Sequence, residues 1–357
     1  MNMFKGPGSS RRNFLAGTGA AAVALGFGGR SASASGELNV YNWDTYIGET
    51  TLATFTEATG VKVQYDLFAN NEELFAKLKA GNPGYDIIFP SDYMVETMIA
   101  IDMLVAIDHS KIPNMKHIDP DPNFSDPSFN PGLKFGVPFM WGTQGVGYRI
   151  SKVDGVPDSW GDILASDKYA GRIALLEDVR AMIGFSLKYL GFPMNSVDPD
   201  EIAQARDLLI KNKKNFKTFA PDSGQDLLLS GEVDLAVEWN GDIVQVMEED
   251  DDLAYVVPKE GGMVWMDNMC IPKGAPNPGN AHAFLDHVLD PVVNAEIANT
   301  IHYPTANLSA RKLVLPEDLA NPAIYPPPET LARCEQIVDV GDAARLYDEA
   351  WTAIKAA

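Results

Sequence analysis

Short apolar runs recur at Leu38–Tyr41, Val61–Tyr65 and Tyr85–Phe89, with polar and mixed segments between them. Those intervals repeat apolar residues at helical spacing: Leu52 and Phe55 within Glu49–Thr59, then Leu74, Phe75 and Leu78 within Asn71–Ala80. Strand-length runs alternating with amphipathic helices predict an α/β fold built on a parallel, doubly wound sheet. In such sheets ligands bind beyond the carboxyl ends of the strands. The residues to inspect are therefore Asn42–Tyr46 after the first run and Pro90–Tyr93 after the third.

Further along, Phe135–Arg149 reads as two extended pieces around Trp141-Gly142. A second αβ set follows: strand Ile173–Leu176, helices Ala181–Leu190 and Asp200–Lys211, strand Asp234–Glu238 and helix Gly241–Glu248. The extended stretch Gly262–Ile271 then leads to helices at Ala281–Leu289 and Pro291–Thr300. Two αβ blocks joined by extended crossovers predict a two-lobed protein with a cleft between the lobes and strands as hinges. The proline-rich segment from Ile118 to Pro131 is a loop. Its Asp119, Asp121 and Asn123 alternate as in a calcium loop, but Phe124 and Asn130 replace the glycine and the bidentate glutamate that such a loop needs. The acidic run Glu248–Asp252 sits at a helix end and reads as a solvated face.

The first 34 residues follow a different logic. Arg11 and Arg12 precede Phe14 and Leu15, a mildly apolar Ala/Gly stretch runs to about Phe27, and Ala32-Ser33-Ala34 offers a small-residue cleavage site. This is the layout of a twin-arginine export signal. Its apolar run is too short and too glycine-rich to span a bilayer. The mature chain is expected to begin near Ser35. Of the formal charge of −21, the signal holds Lys5, Arg11, Arg12 and Arg30 and no acid, so removing those four positive charges leaves −25. Such a surface repels nucleic acid and anionic lipid and attracts cations. The two cysteines, Cys270 and Cys334, form neither a disulfide framework nor a metal motif, and Cys270 in MDNMCIP reads as a core residue.

A search for catalysis finds no HExxH, no GxSxG elbow, no Walker A loop and no Cys/His metal spacing. GTQGVG at Gly142–Gly147 lacks dinucleotide-fingerprint spacing, and His282 and His287, five apart, do not share a helix face. No enzyme activity, cofactor or metal is therefore expected. What recurs is aromatic residues beside acids at strand ends. Trp43 and Tyr46 flank Asp44, Tyr93 follows Ser91, Trp239 precedes Asp242 and Trp265 precedes Asp267. Each pair alone has a plain structural reading, since aromatics fill cores and acids cap helices; Asp92 and Asp242 sit where a helix should start. Their repetition favours one shared cleft. Carboxylates bond ammonium groups strongly, and ring faces attract the charge and cover methylenes, so such a cleft suits an organic cation.

At these residues the chain resembles the spermidine/putrescine-binding periplasmic proteins of ABC importers. The matching segments are YNWDTYI (41–47), NNEELFAKLKAG (70–81), YDIIFPSDY (85–93), VPFMWGTQGVGY (137–148), VEWNGD (237–242), PKEGGMVWMDNMCIP (258–272) and IHYPTANLSARK (301–312). The resemblance covers about the whole mature chain and implies the periplasmic binding protein fold, with the polyamine extended in the cleft between two lobes joined by crossing strands. It implies a first lobe from 35–142 and 268–312 and a second from 143–267 and 313–357. It places Trp43, Tyr46, Ser91 and Tyr93 among first-lobe contacts, Trp239 and Trp265 in the aromatic wall, and Asp267 as the central carboxylate. Tyr303 matches a further aromatic contact and Asp178 an acid that holds one amine in the spermidine type. Asp242 resembles the putrescine-preferring type, and Asp44 supplies the acid of the first motif.

There are departures. Ala181 stands where the family has an acid three places after Asp178, Thr45 where relatives often have Asp or Glu, and Gln336 only approximates a C-terminal glutamine. The expected partners are a polyamine, putrescine or spermidine or both, and an ABC permease of the inner membrane, with the protein monomeric and free of nucleic acid. Three alternatives stay open: a receptor on the same fold for another amine or an amino-acid-derived cation, a polyamine sensor without transport, and an exported enzyme.

Overall fold

The computed structural model describes residues 36–357, so the export signal expected at 1–34 lies outside the described residues. Within them lie strands β1 (Gly36–Asn42), β2 (Val61–Leu67), β3 (Ile87–Ile88), β4 (Gly136–Arg149), β5 (Ile173–Leu176), β6 (Phe216–Ala220), β7 (Leu235–Trp239), β8 (Leu253–Val256) and β9 (Met263–Cys270). They follow the order β2-β1-β3-β9-β4-β7-β5-β6, with β8 added to β4. β1 runs parallel to β2 and β3, and β5 runs parallel to β6 and β7. Antiparallel β4 and β9 join these two parallel pieces. The result is the expected two-lobed α/β arrangement with crossing strands.

β4 is one strand of 14 residues, where the sequence suggested two pieces. It pairs with β9 from Gly136 to Gln144 and with β7 from Gln144 to Tyr148, so Gln144 is the point at which the chain passes from one half to the other. The irregularity sits between Pro138 and Trp141, where a proline without an N–H interrupts the ladder. The third run shrinks to the pair Ile87–Ile88. Tyr85 lies outside that ladder, with its ring stacked on Tyr41 at 4.4 Å.

The helices explain themselves locally. Thr51–Thr59 buries Phe55 and stops at Gly60, whose φ of 77° favours glycine. Asn71–Lys79 starts at Asn70, whose side chain accepts from the Glu73 N–H, and it buries Leu74 and Leu78. Val179–Tyr189 buries Phe185, which stacks on Trp160 at 3.9 Å. Helix Asn240–Met247 begins earlier than expected, with Trp239 at its N-cap, so Asp242 lies in its first turn and is not the cap. Strands β6 and β8, helix Gly224–Leu229 and the C-terminal helix Ala344–Ala356 have no counterpart in the sequence reading. The acidic run is also more than a solvated face: Asp250 and Asp252 hold the Arg149 guanidinium at 2.8 and 3.2 Å. Cys270 is fully buried and free, in the core as expected.

Candidate functional site

The turn after β1 is set by a buried asparagine. Asn42 accepts from the Trp43 N–H (2.9 Å) and donates from Nδ2 to the Tyr46 carbonyl (2.9 Å) and the Tyr65 hydroxyl (2.8 Å). With Thr45 at φ 46°, the chain turns tightly enough to put Trp43 and Tyr46 on one side. The Trp43 indole is fixed by its Nε1 donating to the Phe89 carbonyl at 2.8 Å. Asp44, between them, is exposed and accepts from its neighbour's N–H at 2.9 Å.

The central carboxylate is held from the other strand ends. Ser91 pairs with Asp267 across an antiparallel bridge and donates from Oγ to Asp267 Oδ1 at 2.6 Å. Asn71 fixes the serine in turn, donating to its Oγ at 3.0 Å and accepting from its N–H at 3.1 Å. Asp267 is 4 % exposed.

Aromatic rings surround it edge to face. Trp265 meets Trp239 at 5.5 Å and Tyr303 at 5.3 Å, and Tyr46 meets Tyr303 at 5.2 Å. Trp43 follows β1 and Trp239 ends β7, in opposite halves of the sheet, and their centroids are 6.3 Å apart. Two glycines permit this packing. A Cβ on Gly142 would stand 2.7 Å from the Trp265 ring, and one on Gly241 would stand 2.3 Å from the Tyr303 ring.

Nine expected residues line this one cavity of about 310 Å³: Trp43, Asp44, Tyr46, Ser91, Trp239, Asp242, Trp265, Asp267 and Tyr303. The tenth, Asp222, was not anticipated. It follows β6, sits at φ 45°, and accepts from Trp239 Nε1 at 3.0 Å. The two phenylalanines of Phe216–Ala220, ending just before Pro221, were the available signal of a strand end. Glu238, fully buried behind Trp239, was also passed over; it accepts from the Gly224 and Trp239 N–H groups.

Electrostatically the cavity is one-sided. Acids line it, and no lysine or arginine does. Burial pushes the Asp267 carboxyl up to about 8 against the lowering effect of the Ser91 hydroxyl. Burial likewise raises Asp222 to about 7. Asp242 and Glu238 go well above the usual carboxylate range, first through burial and then through the charge of Asp222. A cluster of buried carboxyls without a cation calls for protons or for a cationic ligand.

Tyr93 and Asp178 stand outside this cavity. The Tyr93 hydroxyl donates to Glu72 Oε1 at 3.1 Å. Asp178 caps Val179–Tyr189 by accepting from the Ala181 N–H at 2.8 Å, and it lines an adjoining hollow with Asn70, Trp43, Asp222 and Trp239. Gln336 donates to Asp92 at 3.2 Å and lines a separate hollow that shares the Trp265 ring.

Comparison with known proteins places the chain in a family. The family described as bacterial extracellular solute-binding protein matches residues 50–327. The spermidine/putrescine-binding periplasmic protein of Salmonella typhimurium is 37% identical, covering 94% of this chain and 97% of its own. A putrescine-binding periplasmic protein of Escherichia coli is 33% identical over 96% of this chain and 98% of its own. The crystal structure of a spermidine/putrescine ABC transporter substrate-binding protein from Streptococcus pneumoniae superposes with a TM-score of 0.74 at 35% identity, covering 89% of this chain and 99% of that one. With its two-lobed sheet, its cavity between the halves and this similarity along nearly its full length, the chain belongs to the bacterial extracellular solute-binding protein family.

Proposed function

We propose that this protein is a periplasmic receptor that captures a polyamine and delivers it to an ABC permease of the inner membrane. The observation that carries the reading is the cavity itself: Asp267, Asp242, Asp222 and Asp44 converge among three tryptophans and two tyrosines with no protein cation beside them. Ammonium groups supply the missing charge, and ring faces cover the methylenes between them, each cation–π contact contributing about 0.5–2 kcal/mol. Relatives that match over most of their length carry spermidine/putrescine-binding and putrescine-binding names, which supports the same ligand class here.

In this reading Trp43, Tyr46 and Ser91 belong to a lobe made from 35–142 and 268–312, and Trp239, Asp242 and Trp265 to a lobe made from 143–267 and 313–357. The protein works as a monomer, reaches the periplasm through its twin-arginine signal, binds no nucleic acid and catalyses no reaction. A thermal-shift panel of polyamines, amino acids, sugars and anions tests the ligand class. Putrescine or spermidine at a hundredfold excess over Kd stabilises by about 2.7 kcal/mol. Stabilisation by an anion or a sugar and by no amine overturns the reading.

A further inference from the structure

The segment that carries Tyr303 into the cavity also grips helix Asn240–Met247 outside it. Asp242, Gln245 and Glu248 lie about one helical turn apart, and consecutive residues of one segment meet them. The Tyr303 hydroxyl accepts from the Asp242 N–H at 3.3 Å, and Gln245 Nε2 donates to the Ile301 carbonyl at 3.1 Å. Glu248 Oε1, at the helix end, lies 3.3 Å from His302 Nε2. The two sides of this contact belong to opposite halves. Helix Asn240–Met247 follows β7, whereas helix Pro291–Ile301, which ends at His302, is tied to the β1 side through Glu296. Glu296 accepts from the Thr50 N–H at 3.0 Å and from the Thr51 hydroxyl at 2.9 Å.

His302 does not line the cavity, yet it is buried and held in a left-handed conformation, φ 55°. Both ring nitrogens face carboxylates. Nδ1 lies 3.1 Å from Oδ2 of Asp318, on the short helix Pro316–Ala320, and Nε2 faces Glu248. Asp318 is buried and Glu248 exposed, and among the described residues neither pairs with a lysine or arginine. From its own segment the adjacent titratable group is Tyr303, already bonded to the helix. A neutral imidazole carries one N–H and can donate to only one of the two acids, whereas the imidazolium donates to both. Burial favours the neutral ring, but the Asp318 bond and the charges of Asp318 and Glu248 outweigh it and raise the pKa above its usual value.

We propose that His302 is a positioning residue: as an imidazolium it clasps helix Asn240–Met247 to the Ile301–Tyr303 segment, and through that contact it sets Tyr303 and Asp242 in the cavity. Ligand binding thereby depends on a proton held outside the cleft. The clasp is complete below the ordinary histidine value of 6.5 and is lost as pH rises through the raised one. Above it the Asp318 bond survives, and the bare Nε2 lone pair faces the Glu248 carboxylate. The polyamine reading enters only through the choice of probe.

Calorimetric titration of putrescine into the wild type, Glu248→Gln and His302→Asn, at about pH 5.5 and about pH 8.5, tests this. The cavity carboxyls are common to all three proteins, so the affinity ratio at each pH isolates the clasp. Asparagine can donate to Asp318 and adopts the left-handed conformation readily, and Glu248 is exposed, so both variants should fold, with melting curves as the check. At the lower pH each variant should bind about threefold more weakly than the wild type. At the higher pH His302→Asn should match the wild type, and Glu248→Gln should bind at least as tightly, because its amide can donate to the neutral Nε2. Simple repulsion between the imidazolium and a ligand ammonium gives the opposite sign, tighter binding by His302→Asn at low pH. That result, or ratios that do not change with pH, overturns the proposal. If the wild type binds no putrescine, the polyamine reading fails, and the His302 ring titration followed by NMR in the free protein decides the clasp. Identical midpoints in the wild type and Glu248→Gln overturn it, and a lower midpoint in the variant supports it.

Discussion

Ser91 Oγ lies 2.6 Å from Asp267 Oδ1, although 176 positions separate the two residues in the chain. The contact joins the end of the segment after β3 to the middle of crossing strand β9. Because Asn71 holds the serine from helix Asn71–Lys79, three elements fix the orientation of one acid. Ser91→Ala removes that restraint without removing charge. It should weaken polyamine binding by about 1 kcal/mol, the net worth of one hydrogen bond. Titration calorimetry reads this directly, and an unchanged affinity would show that the serine does not orient the carboxylate.

The raised carboxyls dictate a pH dependence. Asp267 and Asp222 are lifted from 3.8 to about 8 and about 7. The folded, unliganded protein therefore keeps protons that the unfolded chain has released, so its stability is highest below about pH 4 for these groups and falls as pH rises through 7 to 8. A bound cation reverses the demand, because it pairs with the ionised forms. Melting temperature should fall with pH in the free protein, and the shift induced by spermidine should grow across the same window. A ligand-induced shift that is flat from pH 5 to 8.5 contradicts this linkage.

Gly241 illustrates how the aromatic wall depends on backbone positions that carry no chemistry. A Cβ there would press on three atoms of the Tyr303 ring, the nearest at 2.3 Å. Gly241→Ala should cost about 1–3 kcal/mol of stability through overpacking and loosen ligand binding by displacing Tyr303. Thermal unfolding together with a polyamine titration checks both effects. A variant that matches the wild type in both would mean that the ring yields freely.

Much of this site was legible because aromatic residues and acids cluster at strand ends, where open α/β sheets place their ligands. That rule brought together Trp43, Asp44, Ser91, Trp239, Asp242, Trp265 and Asp267. It failed at Asp222 because the strand before it, β6, carries Lys217 and Thr218 among its apolar residues and did not read as a strand. Asp242 lay open to a capping interpretation only because the helix start was placed too late; the helix begins at Asn240. Asp178 shows the reverse. It does cap a helix, and its position beyond the aromatic cavity depends on a tertiary arrangement that no local pattern encodes. The unity of β4 was hidden by Pro138 and the glycines of its sequence, which locally argue against a long strand.

The halves meet at Trp43 and Trp239 across a cavity lined by unpaired acids, so an empty cleft has reason to open and a filled one to close by bending at β4 and β9. Small-angle scattering should give a smaller radius of gyration with spermidine than without. Superimposable curves at saturation would remove the hinge, though not the binding.

The central claim is that Asp267 supplies charge to a ligand amine, and the conservative variant Asp267→Asn tests it most directly. Asparagine keeps nearly the same shape and can still accept from Ser91, so the unliganded protein should melt close to the wild type. Losing one partner of a buried charge pair costs about 2–5 kcal/mol, so titration calorimetry should show putrescine and spermidine affinities falling by at least about thirtyfold. A loss of less than about fivefold, around 1 kcal/mol, in a folded variant contradicts the account.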